Sequence, residues 1–201
     1  MEVFEHIVPL QRRIKEYRNR GLSVGFVPTM GALHSGHLSL VHCSGKQNDI
    51  TAVSIFINPT QFNDKDDFIH YPKSLENDLT LLHSENCDIV FMPEEKEIYP
   101  ESDNRKFDFE GLDAVMEGKF RPGHFNGVAQ VVTRLFDIVK PDRAYFGQKD
   151  FQQLVIIRHI VRMLKIPVEI ISCPIIREKD GLAMSSRNVR LNDAERTQAS
   201  E

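Results

Sequence analysis

The sequence predicts an α/β fold, a Rossmann-like doubly wound parallel sheet. Short runs rich in Val, Ile and Phe recur at residues 23–27, 50–57, 88–92, 143–146 and 168–172, the composition of strands covered on both faces. Stretches with helical spacing of apolar residues separate them, at about 36–46, 74–83, 125–139 and 150–164, and supply the crossovers that parallel strands need. A glycine-bearing segment from Gly31 to Gly36 follows the first run, the place where open α/β sheets receive ligands.

Ahead of the first run, Val3, Phe4, Ile7, Val8 and Ile14 are spaced for one face of a helix. Residues 93–122 interrupt the alternation with clustered charges, so they read as an insertion near the ligand face, with a short strand expected at 106–109. Glu76, Asn77 and Asp78 are expected on the outer surface of a helix. Asn192 followed by Glu195 has the form of a capping box with Asn as the cap. Because a short helix without a packing partner is marginal in water, a further domain is expected beyond it.

At 201 residues, 41% hydrophobic and 27% charged, the chain can bury one full core with part of a second domain. A net charge of −4 and a pI near 6.1 exclude bulk attraction to nucleic acid or an anionic membrane, so the partner is expected to be a small molecule bound at a local site. Arg12, Arg13, Lys15, Arg18 and Arg20 are interrupted by Glu16 and lack an aromatic platform, which makes them a solvated helix face rather than a nucleic-acid site. Cys43, Cys87 and Cys173 have no metal-ligand spacing, and the first twenty residues contain no apolar targeting segment. Buried free thiols in a reduced, cytoplasmic setting follow, with no membrane span, since no stretch reaches the ~18 apolar residues required.

Two segments carry candidate chemistry. In Val27-Pro28-Thr29-Met30-Gly31-Ala32-Leu33-His34-Ser35-Gly36-His37, a strand gives way to a helix whose free N–H groups favour phosphate oxygens, and His34 and His37 can both face them. Gly31 and Gly36 have the glycine spacing of a Walker A loop, but His37-Leu38 replaces its Lys and Ser/Thr. Zinc is disfavoured, because two histidines alone leave the ion short of ligands. The second segment, Arg177 to Asn188, follows the last strand and includes Met184-Ser185-Ser186-Arg187, hydroxyls beside a cation. Alone, the first segment reads equally as a glycine-rich turn and the second reads as a polar turn; paired, both offer donors to phosphate.

The pair resembles the HIGH and KMSKS signatures of a nucleotidyl-transferring superfamily. PTMGALHSGHLSLV, NPTQF at 58–62, YPK at 71–73, RPGHFNGV at 121–128, FGQKDFQQ at 146–153 and DGLAMSSRN resemble the pantothenate synthetase family from about residue 10 to residue 192. That resemblance implies condensation of pantoate with β-alanine through a pantoyl adenylate, with ATP consumed, AMP and pyrophosphate released, and Mg2+ as cofactor. It implies a homodimer and a division into a nucleotide- and pantoate-binding domain at 1–176 and, from 177–201, a loop leading into a lid domain. A chain without that lid is expected to hold its substrates weakly.

By the same resemblance, His34 and His37 contact the ATP phosphates, with His37 the proton donor, while Lys149, Ser185, Ser186 and Arg187 neutralise charge as pyrophosphate leaves. Met30, Gly31, Gly147, Asp150, Ile176 and Met184 complete the ATP site. Gly147 admits the ribose, Ile176 holds the adenine edge, and Asp150 meets the ribose or the metal. Gln61 and Gln153, which can both donate and accept, grip pantoate beside Met30, with Asn58, Tyr71 and Arg121 around the same cavity.

Overall fold

Along each central strand the side chains alternate between two apolar clusters, as the pleat requires. Val24, Phe26, Ala52, Ile89, Phe91, Ala144 and Phe146 face one cluster, and Val27, Val53, Val90 and Tyr145 face the other. Both faces of the sheet are therefore covered, which explains why the strands read as continuous apolar runs.

The computed structural model describes residues 1–199. In chain order the elements are β1 (Glu2–Phe4), α1 (Ile7–Asn19), β2 (Val24–Thr29), α2 (Ser35–Gln47), β3 (Ile50–Ile55), α3 (Lys65–Ile69), α4 (Leu75–Ser84), β4 (Ile89–Phe91), α5 (Glu95–Ile98), α6 (Met116–Phe120), α7 (His124–Val139), β5 (Arg143–Gly147), α8 (Phe151–Met163), β6 (Glu169–Cys173) and α9 (Asp193–Ala199). Turns of 3-10 helix lie at Pro59–Gln61, Gln148–Asp150 and Ser186–Arg190. The strands form one parallel sheet in the order β1-β4-β3-β2-β5-β6. From β2 the chain winds outward through β3 and β4, and then returns to add β5 and β6 on the other side. The order thus reverses between β2 and β5, which pair through Gly25↔Arg143 and Phe26↔Ala144, and a crevice is expected above that switch point.

α1, α7 and α8 cover one face through Leu10, Ile14, Phe125, Phe136, Leu154 and Ile157. Leu40 and Val41 of α2 with Leu82 of α4 cover the other. α7 is buried on nearly every side, because it packs against α1, α8, the sheet and the Pro59–Gln61 turn.

The structure corrects three expectations. Val3 and Phe4 do not belong to the first helix: they form the edge strand β1 on β4, in register Val3↔Val90 and Phe4↔Phe91. The helix starts at Ile7, where the Ile7 N–H donates to Glu97 Oε1 at 2.7 Å and an acidic group meets the positive helix end. Residues 106–109 make no strand. The Phe107 N–H instead donates to Asn126 Oδ1 at 3.1 Å, and the Arg105 carbonyl accepts from Asn126 and Gln130 at 3.1 and 3.0 Å, so side chains of α7 replace a ladder partner. Glu76 and Asn77 are exposed as expected, whereas Asp78 is only 1% exposed.

The basic face of α1, the capping box and the free thiols are as expected. Arg12, Lys15, Arg18 and Arg20 are exposed along α1. The capping box forms as a reciprocal pair, with the Asn192 N–H donating to Glu195 Oε2 and the Glu195 N–H to Asn192 Oδ1, each at 2.9 Å. All three cysteines are free; Cys87 and Cys173 are buried, and Cys43 is half-buried against the same cluster. No described helix is long and apolar enough to cross a membrane.

Candidate active site

β2 ends at Thr29, and the chain must turn within five residues to start α2 at Ser35. Gly31 makes this turn possible with a φ of 79°, a conformation that side chains disfavour. His34 is then the N-cap of α2, its Nδ1 accepting from the Gly36 N–H at 3.1 Å, while His37 Nδ1 accepts from the His34 N–H at 3.4 Å. The ring centroids lie 4.1 Å apart. A neutral imidazole that accepts at Nδ1 carries its proton on Nε2, so both histidines present Nε2–H. Both are held neutral: burial, then Lys149, lowers His34, and burial, His34 and Lys149 push His37 down to about 3. His37 still reaches the cavity, so it enters the site as a neutral hydrogen-bond donor.

The second segment is folded back by a tight hairpin. Arg177 bridges Ala183, Gly181 takes a φ of 91°, and the Met184 N–H donates to the Ile176 carbonyl at 3.0 Å. Ser185 then caps the following turn, its Oγ accepting from the Arg187 N–H at 3.2 Å. Arg187 donates to both carboxylate oxygens of Asp67 on α3, at 3.2 and 2.7 Å, which holds that carboxyl below the usual range. Its guanidinium lies 5.4 Å from the centroid of Tyr71, whose hydroxyl is 3.3 Å from Ser186 Oγ.

These two segments face each other across a cavity of about 320 Å³ above the switch point. Its wall contains Met30, His34, His37, Gln61, Tyr71, Arg121, Gly147, Lys149, Asp150, Gln153, Ile176, Met184, Ser185, Ser186 and Arg187, which is nearly the whole predicted set. An adjoining space of about 160 Å³ shares Met30, His37, Gln61, Gly147, Asp150 and Gln153 and reaches Asn58 and the apolar side chains of α7. Only Gly31 of the predicted residues lies behind both walls. At Gly147 a Cβ would meet nothing within 4 Å, so its absence keeps the cavity open beside the end of β5.

Asn58 plays a more internal part than expected. It is 1% exposed; its Nδ2 donates to Gln61 Oε1 and the Gly127 carbonyl at 3.3 and 3.1 Å, and its Oδ1 accepts from Thr60 and Tyr99 at 3.1 and 3.0 Å. These bonds orient Gln61. Arg121 is paired with Glu117 at 2.6 Å and donates to the Gln61 carbonyl at 3.3 Å, and Lys149 lies 3.1 Å from Asp150.

Sequence reasoning missed several residues that shape this wall. His124 Nδ1 is 2.7 Å from the Gln61 carbonyl. Gly127 lets that turn lie on α7, since a Cβ there would stand 2.3 Å from the Thr60 carbonyl oxygen. Both belong to the RPGHFNGV string, from which only Arg121 had been assigned. Asp67 gave no local signal, because its arginine partners are more than a hundred residues away in sequence.

The family model for pantoate-beta-alanine ligase matches residues 2–201. Among curated relatives, the pantothenate synthetase of Bacteroides fragilis is 55% identical over 199 residues, 99% of this chain and 71% of the relative. That of Porphyromonas gingivalis is 55% identical over 98% of this chain and 70% of its own length. Among solved structures, pantothenate synthetase from Thermus thermophilus superposes with a TM-score of 0.93 at 46% identity, over all of this chain and 71% of that one. Pantoate-beta-alanine ligase from Francisella tularensis, complexed with beta-gamma ATP and beta-alanine, gives 0.94 at 40% identity over all of this chain and 77% of its own. On the extent of these matches and the single-sheet fold they share, the chain belongs to the pantoate-beta-alanine ligase family.

Proposed function

We propose that this chain activates pantoate with ATP as a pantoyl adenylate and passes the acyl group to β-alanine, releasing AMP and pyrophosphate. One observation carries the reading: phosphate-type donors and two carboxamides line one continuous cavity. His34, His37, Lys149 and the Ser185–Arg187 turn stand on the walls of the larger space, and Gln61 and Gln153 line both spaces.

Adenylation needs a carboxylate oxygen in line with the α-phosphorus and charge relief on the phosphate oxygens. The acid would lie in the adjoining space, its hydroxyls meeting Gln61 and Gln153, groups that donate and accept. Two Nε2–H groups and Lys149 would face the triphosphate, while Ser185, Ser186 and Arg187 receive the departing pyrophosphate. Cationic and N–H donors strengthen as charge moves onto the bridging oxygen. Neutral histidines suit this task, because they bind oxygen without competing for the carboxylate as a fixed cation would. No enzyme nucleophile is needed. β-Alanine then attacks the acyl carbon in the same pocket with AMP as leaving group, where exclusion of water protects the anhydride.

Magnesium would arrive with ATP and supply further charge neutralisation on the phosphates. Among the described residues no group of three or more His, Cys, Asp or Glu forms a metal cage, whereas Mg2+ commonly needs only one or two carboxylates plus substrate phosphates. Asp150, on the cavity wall beside Lys149, is the residue that would hold it. A homodimer, as the resemblance implies, remains part of this proposal.

The test is exchange of labelled pyrophosphate into ATP. Exchange that requires pantoate supports the reading. Exchange that ignores pantoate and responds to a phosphorylated or nicotinamide-like acceptor would replace it with another adenylyl transfer.

A further inference from the structure

The loop between β2 and α2 ends at His34, with His37 in the first turn of α2; the Gly31 N–H donates to Thr29 Oγ1 at 3.2 Å, but the Ala32 and Leu33 N–H groups are held from α4. Gly31 and Ala32 both take positive φ, 79° and 50°. For alanine this conformation is disfavoured by its Cβ and persists only where the surroundings impose it. The imposing group is the carboxylate of Asp78, in the first turn of α4 and 1% exposed. Its Oδ2 accepts from the Ala32 N–H at 2.9 Å, and its Oδ1 accepts from the Leu33 N–H at 2.8 Å and from Ser74 Oγ at 3.0 Å. A Cβ on Gly31 would stand 3.0 Å from Asp78 Oδ2, so the carboxylate lies directly against the turn.

The next residue is His34. As the N-cap it fixes where α2 begins, and its N–H in turn fixes the ring of His37. The position of both Nε2 groups in the cavity therefore follows from where Asp78 holds residues 32 and 33. Asp78 itself lines neither cavity.

We propose that Asp78 is a positioning residue for adenylate formation: it sets the His34 and His37 donors through the backbone N–H groups of Ala32 and Leu33. The inference rests on the adenylation reading. It also predicts that a carboxamide cannot substitute. Asn has one acceptor oxygen, so its NH2 would face the second backbone N–H, donor against donor, and a buried donor would lose its partner. The bond from Ser74 is different in kind, because it reaches the carboxylate from α4's own N-terminus and does not touch the loop.

The experiment compares Asp78→Asn, Asp78→Ala and Ser74→Ala in the chain as it stands. It measures kcat and KM in pantoate-dependent exchange of pyrophosphate into ATP, and residue-resolved amide hydrogen exchange. A displacement of about 1 Å at reacting groups can cost about 100-fold. The expected result is a fall in kcat of that order for both Asp78 variants, larger than any rise in KM, with faster hydrogen exchange at Ala32 and Leu33 and unchanged protection in β2, β3 and β5. Ser74→Ala should keep its exchange rate near wild type. Three results overturn the proposal alone: Asp78 variants that exchange at the wild-type rate, Ser74→Ala losing as much as Asp78→Asn, or protection lost across the whole core in both Asp78 variants. A wild-type chain without any exchange overturns the adenylation reading, and the proposal falls with it.

Discussion

Gly127→Ala sets two physical effects against each other. In an exposed helix, replacing Gly by Ala stabilises by about 1 kcal/mol, and Gly127 sits within α7. A Cβ at this position would lie 2.3 Å from the Thr60 carbonyl oxygen, 2.6 Å from its carbon and 2.9 Å from Gln61 Cα. These are backbone atoms and cannot rotate aside. Reaching ordinary contact requires roughly 1 Å of movement. α7 is wedged under the sheet, so the Pro59–Gln61 turn is the part that moves. Overpacking costs about 1–3 kcal/mol, which cancels the propensity gain and leaves a net loss of up to about 2 kcal/mol. For a chain of this size that lowers Tm by up to roughly 8 °C. The moving turn carries Gln61, so kcat/KM for pantoate should fall by up to about 100-fold, while ATP affinity, set by other elements, stays as it was. Calorimetric melting, ATP titration and pantoate-dependent exchange measure the three quantities. A Tm that rises by the propensity gain, with pantoate kinetics intact, would refute the packing argument.

Gly147→Ala should do the opposite to stability. Its φ of −76° is open to any residue and its Cβ meets nothing, so the fold should gain about 0.4–1 kcal/mol. The methyl group would enter the cavity beside β5, and ATP affinity should fall at least about tenfold, roughly 1.4 kcal/mol; unchanged affinity would move the nucleotide elsewhere. At Gly36 a Cβ would lie 2.8 and 2.9 Å from ring atoms of His34, so Gly36→Ala should displace that ring and slow exchange while the chain stays folded, as far-ultraviolet dichroism would verify. Stability should also fall with acid. His37 is pushed down to about 3 in the fold against about 6.5 when unfolded, so above about pH 6.5 both states are neutral and the group contributes no slope. Between those values only the unfolded chain takes up the proton, and stability declines by up to about 1.4 kcal/mol per pH unit as pH drops. Urea midpoints at about pH 7.5 and 5 should converge for His37→Gln relative to wild type; equal slopes would contradict a buried neutral His37.

Local sequence carried the elements whose determinants are local. Five strands and four helices emerged within a few residues of their observed bounds, because each pairs an apolar run with a helical period, and the Asn192–Glu195 box formed from its own two side chains. β1 was missed because Val3 and Phe4 continue the spacing of α1, while the partner that makes them a strand, Ile89 to Phe91, lies far along the chain. Residues 106–109 look like a strand but find Asn126 and Gln130 instead of a neighbour. The cavity wall was legible through His34, His37 and the Ser185–Arg187 turn, whose donors suit phosphate, and through Gln61 and Gln153, which the family resemblance singled out. The groups that hold them were not. Asp78 in a first turn looks like an ordinary partner of the helix dipole, and its bonds to the distant Ala32 and Leu33 N–H groups leave no local signal.

The central claim is that the acid meets the α-phosphorus of ATP. Pantoate labelled with 18O in its carboxylate tests it directly. After turnover with β-alanine, mass spectrometry should find one labelled oxygen in AMP and none in pyrophosphate. Label recovered in orthophosphate would mean attack at the γ-phosphorus instead, and would contradict the arrangement of donors derived for this cavity.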